Sequence, residues 1–408
     1  MPTILQINVT ANVGSTGRIA EQLGKAAMAE GWSSYIAYGR YSAQSESNLV
    51  RIGSPLETRI HYRLSKLLDR HGLFSSIATL RFIRQIKKIK PDIIHLHNIH
   101  GSYLNYLLLF NYLKRSAMPV VWTFHDCWPI TGHCAHFVYA KCDKWKTGCY
   151  SCPERKSYPK SKIFDRSRKN YIEKREIFNS VKNLTIIPVS KWLESIVKES
   201  FLKGCNIETI HNGIDINTFK PIADNDIRER YGIPAHKRIV LGVATAWSAQ
   251  KGFNDFITLY NLLPHEEYQI VMIGLTQYHI NKLPEGIIGL PRTESVDALA
   301  QWYSAADVFA NLSSAETFGL TTAEALASGT PAVVYNNTAS PELVIPSIGK
   351  VVENESVEAV VQAIEELCAE DREAMRERCR EYAVAHFDKE DCYLKYIDLY
   401  EKLIDKTK

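Results

Sequence analysis

The sequence predicts an α/β protein made of two consecutive doubly wound domains, each a parallel β-sheet covered by helices on both faces. Two observations predict this fold. The chain has 408 residues, whereas single hydrophobic cores stop growing at about 250–300 residues. Short runs rich in β-branched residues also alternate with helix-length amphipathic segments from end to end, a pattern typical of parallel sheets.

The first half of the chain contains one series of predicted strands with helical segments between them. The strands are apolar on both faces, as expected of a sheet that is covered on both sides. They are predicted at residues 3–9, 33–39, 92–97, 120–124 and 184–190. The most apolar stretch, YLNYLLLFNYL at 103–113, is too short for a membrane span of about 20 residues, so we interpret it as a buried helix.

The pattern restarts in the second half of the chain. Residues 211–234 are rich in Gly, Pro and Asx and are interpreted as a linker. A second series of strands is predicted at residues 238–244, 268–274, 307–313 and 330–336. Open α/β sheets bind ligands outside the carboxyl ends of their strands, so two such sheets predict a site in the cleft between them.

These boundaries divide the chain into three predicted parts. A first domain is predicted over residues 1–217 and a second over residues 218–388. Residues 389–408 are predicted to form a C-terminal helix that packs back toward the first domain.

Composition and charge indicate a globular protein of the cytoplasm. The chain is 45% hydrophobic and 23% charged, values typical of globular proteins, and MPTILQINVT lacks the basic start of a signal peptide.

The net charge is only +4, but residues 141–175 carry twelve Lys or Arg against four Asp or Glu. This stretch predicts either a solvated face or attraction to an anionic surface such as a membrane leaflet. No recognised module accompanies it, so nucleic acid is not an expected partner.

The strongest functional signal is the stretch SSAETFGLTTAEALASGTPAVV at 313–334. A strand runs into a turn that contains Glu316, and a helix is predicted from near Gly319 to Gly329. Glu324 then lies one to two turns into that helix. The first amides of a helix lack partners within it, so the turn predicts an anion site. The amides concerned belong to Phe318, Gly319, Leu320 and Thr321. Taken alone, Glu324 could also be an ordinary charged residue in the first turns of a helix, and Gly319 could be the glycine of a tight turn.

Four cysteines form a cluster with the spacing C-x7-C-x6-C-x2-C. They are Cys134, Cys142, Cys149 and Cys152. In a reducing compartment clustered cysteines are more often metal ligands than disulfides, and four thiolates complete a tetrahedral structural zinc site. We therefore predict structural zinc, with His133 and His136 as alternative ligands and a redox-active C-x2-C pair as the competing interpretation. Cys127 is interpreted as a packed thiol.

Several motifs resemble those of one enzyme family. Glu316 and Glu324, separated by seven residues and followed by ALASGTPAVV, resemble the E-x7-E motif of the family 4 retaining glycosyltransferases with the GT-B fold. HNGID at 211–215 and KGF at 251–253 resemble that family's hinge segment and phosphate-binding lysine. The segment after HDCWPITG further resembles a Cys-rich subgroup that includes transferases of colanic acid, other exopolysaccharides and O-antigens. The resemblance covers essentially the whole chain.

The resemblance implies a fold and a set of donor-binding residues. The fold is GT-B, two Rossmann-like domains facing each other across a cleft, here with a Cys-rich insert at 127–153 in the first. Glu324 would bind the ribose of a UDP- or GDP-linked sugar, Glu316 would contact the transferred sugar, and Lys251 would neutralise the diphosphate without a catalytic metal.

One departure from the family pattern concerns the diphosphate. The family has an arginine a few residues before this lysine, but here Ala246 and Trp247 occupy those positions. Arg292 is a candidate to supply the missing charge.

The first domain would provide the acceptor side. Gly14 and Ser15 lie in a loop that precedes a helix, and in the family this loop lies against the donor diphosphate and the acceptor. The loop matches neither G-x-G-x-x-G nor the Walker A pattern. A purely structural turn is therefore the alternative interpretation. His125 ends a strand near the position of a functional family histidine, and Asp126 is expected to orient it. Weaker acceptor-side candidates are His97, Asn98 and His100.

The function implied is transfer of a sugar, with retention, from a nucleotide sugar to a hydroxyl of a lipid-diphosphate-linked glycan. This reaction would take place in the cytoplasm, with peripheral contact at the inner membrane face. Three alternatives stay open at this point. A sugar-nucleotide epimerase can share the architecture, a non-catalytic protein would bind nucleotide sugar without consuming it, and a zinc-ribbon protein would bind nucleic acid.

Overall fold

A computed structural model describes residues 1–406, apart from the side chain of Asn354. The chain divides into two compact units: unit 1 consists of Met1–His211 together with the chain from Glu390 onward, and unit 2 is Asn212–Lys389. The last two residues of the predicted segment 389–408 lie outside the described residues. Within the described part, no helix is long and apolar enough to cross a membrane.

Unit 1 is built on a seven-stranded sheet. Its strands are β1 (Thr3–Asn8), β2 (Ser33–Tyr38), β3 (Asn48–Arg51), β4 (Ile93–Leu96), β5 (Val120–Phe124), β6 (Leu184–Pro188) and β7 (Asn206–Ile207). Its helices are α1 (Gly14–Ala29), α2 (Pro55–Leu68), α3 (Ser76–Ile89), α4 (Tyr106–Leu113), α5 (Ser167–Phe178) and α6 (Lys191–Glu199). The strand order is β3-β2-β1-β4-β5-β6-β7, and all the pairs are parallel.

Unit 2 is built on a six-stranded sheet with the order β10-β9-β8-β11-β12-β13, again with parallel pairs. Its strands are β8 (Arg238–Val243), β9 (Tyr268–Ile273), β10 (Ile288–Leu290), β11 (Val308–Asn311), β12 (Ala332–Tyr335) and β13 (Gly349–Val352). Its helices are α7 (Ile227–Arg230), α8 (Phe253–Leu262), α9 (Gln277–Ile280), α10 (Val296–Ala305), α11 (Leu320–Ala327), α12 (Val357–Ala369) and α13 (Arg372–Phe387). The chain then continues into α14 (Lys389–Asp405).

Short 3₁₀ helices occur in both units. They cover Trp128–Ile130, Lys144–Lys146, Ala249–Lys251, Ser340–Leu343 and Glu353–Glu355.

The strands expected from the sequence are all present, and α4 is the buried helix predicted within 103–113. The structure adds four strands that the sequence did not predict, namely β3, β7, β10 and β13. Each of them is an edge strand of its sheet. An edge strand has a neighbour on one side only and is often short, so it lacks the continuous apolar run that reveals a central strand.

The last helix, α14, packs on the sheet of unit 1 through polar contacts. The hydroxyl of Tyr400 lies 2.6 Å from Nδ1 of His95, and the hydroxyl of Tyr396 lies 3.1 Å from Oγ1 of Thr123. Oγ1 of Thr123 also lies 2.8 Å from Nε2 of His95, so both ring nitrogens are bonded. Burial lowers the pKa of His95 well below its usual value, which keeps this buried imidazole neutral.

Candidate active site

The strand order of unit 2 reverses between two neighbouring strands. From β8 the chain proceeds through β9 to β10 at one edge, and from β11 through β12 to β13 at the other. Open α/β sheets bind ligands outside the carboxyl ends of the strands at such a switch point. The carboxyl end of β8 leads to the 3₁₀ helix Ala249–Lys251, and that of β11 leads to the turn before α11. The candidate residues Lys251 and Glu316 therefore lie at the same point of the sheet.

Lys251 and Glu316 form an ion pair at this switch point. Nζ of Lys251 lies 2.6 Å from Oε1 of Glu316 and 3.5 Å from the carbonyl oxygen of Ala315. The lysine side chain is 35% exposed and the glutamate side chain 18%, so both remain within reach of a ligand. The backbone N–H of Glu316 donates to Oγ1 of Thr338 over 2.8 Å, which fixes the position of the turn.

Helix α11 begins directly after this turn, as predicted. Gly319 precedes it with φ of +101°, a left-handed conformation that favours glycine. The four residues expected to bind an anion lie at this helix N-terminus, where backbone amides point out of the helix; their binding role stays a prediction. They are Phe318, Gly319, Leu320 and Thr321.

Glu324 lies further along α11, where a buried tyrosine holds it. The hydroxyl of Tyr303 donates to Oε2 of Glu324 over 3.0 Å, and the Tyr303 side chain is fully buried. Burial and the neighbouring carboxylate raise the pKa of Tyr303 well above its usual value, so it stays a hydrogen-bond donor. Sequence reasoning did not identify Tyr303, because it lies on α10 at no recognisable spacing from Glu324.

The structure explains the departure at Trp247. The indole N–H of Trp247 donates to the carbonyl of Ile273 over 2.8 Å, and its ring packs edge-to-face against Phe256. Trp247 is therefore a core residue. Arg292 is exposed in the segment after β10 and forms no side-chain hydrogen bond or ion pair with the described residues, so its proposed contact with a diphosphate stays a prediction.

The candidate residues of unit 1 lie after strands β1, β4 and β5. Helix α1 begins at Gly14, whose φ is +71°, and both Gly14 and Ser15 are exposed. Nε2 of His125 lies 3.0 Å from Nδ1 of His97. Nε2 of His97 in turn lies 3.0 Å from Oε1 of Gln6. Burial lowers the pKa of His125 to about 4, against an opposing contribution from Asp126, so the imidazole is neutral near pH 7.

Asp126 orients a different histidine from the one expected. Its Oδ2 accepts from Nε2 of His100 over 2.9 Å, and its Oδ1 accepts from the backbone N–H of Trp128. Burial opposes ionisation of Asp126, but His100 and the backbone bond lower its pKa to about 2. The expectation that Asp126 orients His125 is therefore wrong. The residues are adjacent in sequence, but the Asp126 side chain is directed toward the loop after β4.

The four clustered cysteines line one small cavity between β5 and α5, and all nine cysteines of the chain are free thiols. The neighbouring thiol of Cys134 lowers the pKa of Cys152 to about 7, while the thiol of Cys152 and burial raise the pKa of Cys134. Burial raises the pKa of Cys149 to about 11, against an opposing contribution from the backbone of Gly132. Cys127 is fully buried outside this cavity, as expected of a packed thiol.

A second group of metal-ligating residues lies in the same unit. Asp69, His71 and His133 are buried and offer ligand atoms within 4.8 Å of one another, and among residues 1–406 no other group of three or more meets this criterion. Nδ1 of His133 donates to Asp69. Nε2 of His71 and Nε2 of His133 are buried without a hydrogen-bond partner among the described residues, and Nε2 of His71 lies 4.0 Å from Oδ1 of Asp69. The four cysteine sulfurs are not gathered as closely. Sequence reasoning missed Asp69 and His71, although DRHG at 69–72 places them two residues apart.

Comparison with known proteins identifies the class. Residues 16–218 match the model of Glycosyltransferase Family 4, and residues 223–386 match that of Glycosyl transferases group 1. The chain is therefore a glycosyltransferase. More particularly, it belongs to the glycosyltransferases in which a Family 4 domain is followed by a group 1 domain.

Individual relatives agree with this assignment. The chain is 26% identical over 377 residues to a protein of Escherichia coli (strain K12) named as a colanic acid biosynthesis glycosyl transferase, WcaC, covering 88% of this chain and 89% of the relative. Sucrose-phosphate synthase from Thermosynechococcus elongatus has a TM-score of 0.76 at 19% identity, with 100% of both chains covered. Anabaena HepE, solved with UDP and glucose, has a TM-score of 0.68 at 16% identity, covering 98% of this chain and 99% of that one. These structures confirm the GT-B fold.

The glycine next to Lys251 gives a test of how the ion pair is positioned. Gly252 has φ of +73°, and a Cβ there would lie 2.5 Å from the carbonyl oxygen of Leu312. Gly252→Ala is therefore expected to lower the melting temperature, because it adds a steric clash to a backbone penalty of about 1–2 kcal/mol. Gly232→Ala is the matched control, since Gly232 has φ of +62° and open space at the Cβ position. Equal melting temperatures for the two variants, measured by differential scanning fluorimetry, would contradict this account.

Proposed function

We propose that this chain transfers a sugar from a nucleoside-diphosphate sugar to a hydroxyl of a glycan acceptor in the synthesis of a surface polysaccharide. The observation that carries the proposal is the ion pair of Lys251 and Glu316 beside the N-terminus of α11, at the switch point of the unit 2 sheet. The name of the Escherichia coli relative supports the pathway class, and the UDP and glucose in the HepE complex support the donor class.

The donor diphosphate is the group that needs electrostatic stabilisation. Breaking the bond between sugar and nucleotide leaves negative charge on the departing diphosphate, and preorganised positive groups lower the barrier of such a step. Lys251 and the amides at the start of α11 supply this positive potential without a metal ion. In this proposal Lys251 exchanges its contact with Glu316 for one with the diphosphate.

The two carboxylates have separate roles. Tyr303 fixes one oxygen of Glu324, so the carboxylate is oriented to accept hydrogen bonds from the ribose hydroxyls. Glu316 accepts from a hydroxyl of the transferred sugar once Lys251 has turned to the diphosphate. Gly14, Ser15 and neutral His125 are proposed to contact the acceptor, and transfer follows a same-face path that retains the anomeric configuration. NMR of the product's anomeric proton tests retention, and an inverted product would exclude it.

The proposed acceptor is a glycan linked to a lipid diphosphate, which requires contact with a membrane surface. The basic stretch 141–175 supports this contact, because Ile163 and Phe164 are exposed within it beside Lys160 and Lys162. Interleaved apolar and basic side chains are typical of surfaces that bind anionic lipids. Co-sedimentation with anionic but not with neutral vesicles is the expected result, and no co-sedimentation would exclude the membrane contact.

The alternatives from the sequence have gained no support. The family matches and the names of the relatives describe glycosyltransferases, not epimerases, binding proteins or nucleic-acid binders. An epimerase would convert the donor to an isomeric sugar nucleotide without acceptor, and a binding protein would consume none.

The ion pair gives the direct activity test. Lys251→Ala is expected to lower kcat by about 10²–10³-fold, because it removes a group that acts on charge developing in the transition state. Glu316→Gln is also expected to lower kcat, because it weakens the hydrogen bond that positions the transferred sugar. Release of nucleoside diphosphate from the donor in the presence of acceptor is the measurement. Lys282→Ala is the control, since Lys282 is an exposed lysine of the same unit whose ammonium lies over the ring of Tyr278. Wild-type turnover in both site variants would refute the assignment.

We further propose that Cys134, Cys142, Cys149 and Cys152 hold a structural zinc ion. The four thiols line one cavity, and the neighbouring Cys134 lowers the pKa of Cys152 to about 7, which favours the Cys152 thiolate. The buried amine of Lys174 donates to the carbonyls of Trp128 and Thr131. Burial lowers the pKa of Lys174 to about 7, against opposing contributions from Cys149 and Cys134 that favour its charged form. A site of four thiolates carries net negative charge around Zn²⁺, which Lys174 would offset.

Metal analysis tests the zinc proposal. Purified wild-type protein and Cys205→Ser, a cysteine outside the cavity, are expected to contain a single zinc ion per chain, measured by plasma mass spectrometry. Cys149→Ser/Cys152→Ser is expected to lose zinc, because two of the four ligands are removed. Wild-type protein without metal would refute the proposal. Loss of zinc in His71→Asn but not in the cysteine variant would place the metal at Asp69, His71 and His133 instead.

A further inference from the structure

Unit 1 contains an open cavity of about 560 Å³ near the carboxyl ends of strands in its sheet. The cavity is formed by the segments after β2, β3 and β4 together with the loop at Tyr158–Lys160. Carboxyl ends of parallel strands are where open α/β sheets bind their ligands. The cavity therefore lies at the edge of the sheet where ligands bind in folds of this class.

The charge of the cavity wall has one sign. The lining includes Arg40, Arg51, Arg59 and Lys160, and within the described part of the chain no Asp or Glu lines it. None of these four cations forms an ion pair or a side-chain hydrogen bond with the described residues. Cations gathered at one concave surface repel one another and raise the local concentration of anions. A ligand that carries an oxyanion would remove this repulsion.

Two of the arginines are held by neighbouring rings. The guanidinium of Arg40 lies 5.7 Å from the ring centre of Tyr62, and that of Arg51 lies 5.8 Å from the ring centre of Tyr38. These contacts restrict the guanidinium planes while leaving their N–H groups available. A planar guanidinium donates two parallel hydrogen bonds to a phosphate or carboxylate group. The arginines thus match the chemistry of an oxyanion.

The remaining lining residues suit a sugar. Nε2 of His100 is held by Asp126, and Nδ1 of His100 lies 3.4 Å from the hydroxyl of Tyr158. Tyr41, Tyr62 and Tyr158 are 67%, 44% and 59% exposed, respectively, which is unusual for aromatic side chains around one cavity. Their rings offer apolar faces and their hydroxyls offer hydrogen bonds. The wall therefore combines cations for an oxyanion with amphipathic rings for a pyranose.

We propose that this cavity binds the anionic part of the acceptor, so that the acceptor is a saccharide bearing a diphosphate, phosphate or carboxylate group. The inference rests on the proposed glycosyl transfer and adds to it a binding site for the oxyanion of the acceptor. The oxyanion has two chemical sources, a diphosphate that links the sugar to its carrier or a carboxylate of the sugar itself. Both sources carry an oxyanion, and this group is recognised by the cations of the cavity wall, Arg40, Arg51, Arg59 and Lys160.

A binding experiment tests the site without relying on activity. Inorganic pyrophosphate, inorganic phosphate and glucuronate are titrated calorimetrically into Lys251→Ala protein, in which the proposed diphosphate contact of unit 2 is removed. At least one probe is expected to bind and to weaken with added salt. Arg40→Gln/Arg59→Gln in the same background is expected to weaken binding by about 10- to 100-fold, because two charged hydrogen-bond donors are lost.

The control is Arg63→Gln, because Arg63 is exposed on α2 like Arg59 but does not line the cavity. Preference for pyrophosphate indicates the diphosphate source, and preference for glucuronate the carboxylate source. No binding of any probe, or equal binding in the double variant and the control, would overturn the proposal. Melting temperatures of the variants confirm that the fold is retained.

Activity assays separate this inference from the proposed function. With acceptor present, Arg40→Gln/Arg59→Gln is expected to raise the acceptor KM by about tenfold or more while the donor KM stays unchanged. Wild-type protein that releases no nucleoside diphosphate from any donor would overturn glycosyl transfer itself. Normal donor turnover with an unchanged acceptor KM in the double variant would overturn only the cavity assignment.

Discussion

The pairing of β8 with β11 is the constraint on which the proposed donor site depends. Lys251 and Glu316 are 65 residues apart in sequence, and they meet because the strands that precede them are neighbours in the sheet. Gly252 allows the first turn to pass close to Leu312, where a Cβ would clash, and Thr338 fixes the second turn. A shift of either turn separates the ammonium from the carboxylate and moves the start of α11 with it.

The two proposed sites provide positive charge in different ways. In unit 2 the positive groups are one lysine and the amides of a helix N-terminus, and the lysine is held by a carboxylate. In unit 1 four cations surround a cavity without a carboxylate in its wall. A cation already paired must exchange partners on binding, whereas unpaired cations attract an anion directly. The proposed donor and acceptor sites therefore differ in how strongly salt should weaken them.

Much of the fold and part of the site were predictable from sequence. Central strands such as β1 and β5 bury both faces and show continuous apolar runs, whereas edge strands such as β3 are largely exposed and carry no such signal. Glu316 and Glu324 became candidates because a turn, a helix start and a spacing motif coincide, whereas Lys251 became one through its resemblance to a family lysine after a strand. The partner of Asp126 and the wall of the unit 1 cavity were not predicted from sequence, because both depend on the directions of side chains from segments that are distant in sequence. The sequence around a single arginine after a strand does not show which other cations lie beside it in the fold.

The central claim is that unit 2 binds the nucleotide through two separate contacts, Lys251 on the diphosphate and Glu324 on the ribose. Calorimetric affinities of UDP and uridine, with GDP and guanosine in parallel, test it directly in the wild type, Lys251→Ala and Glu324→Gln. The account predicts that Glu324→Gln weakens nucleoside and nucleotide alike, while Lys251→Ala weakens only the diphosphate form. Unchanged nucleotide affinity in both variants would contradict it.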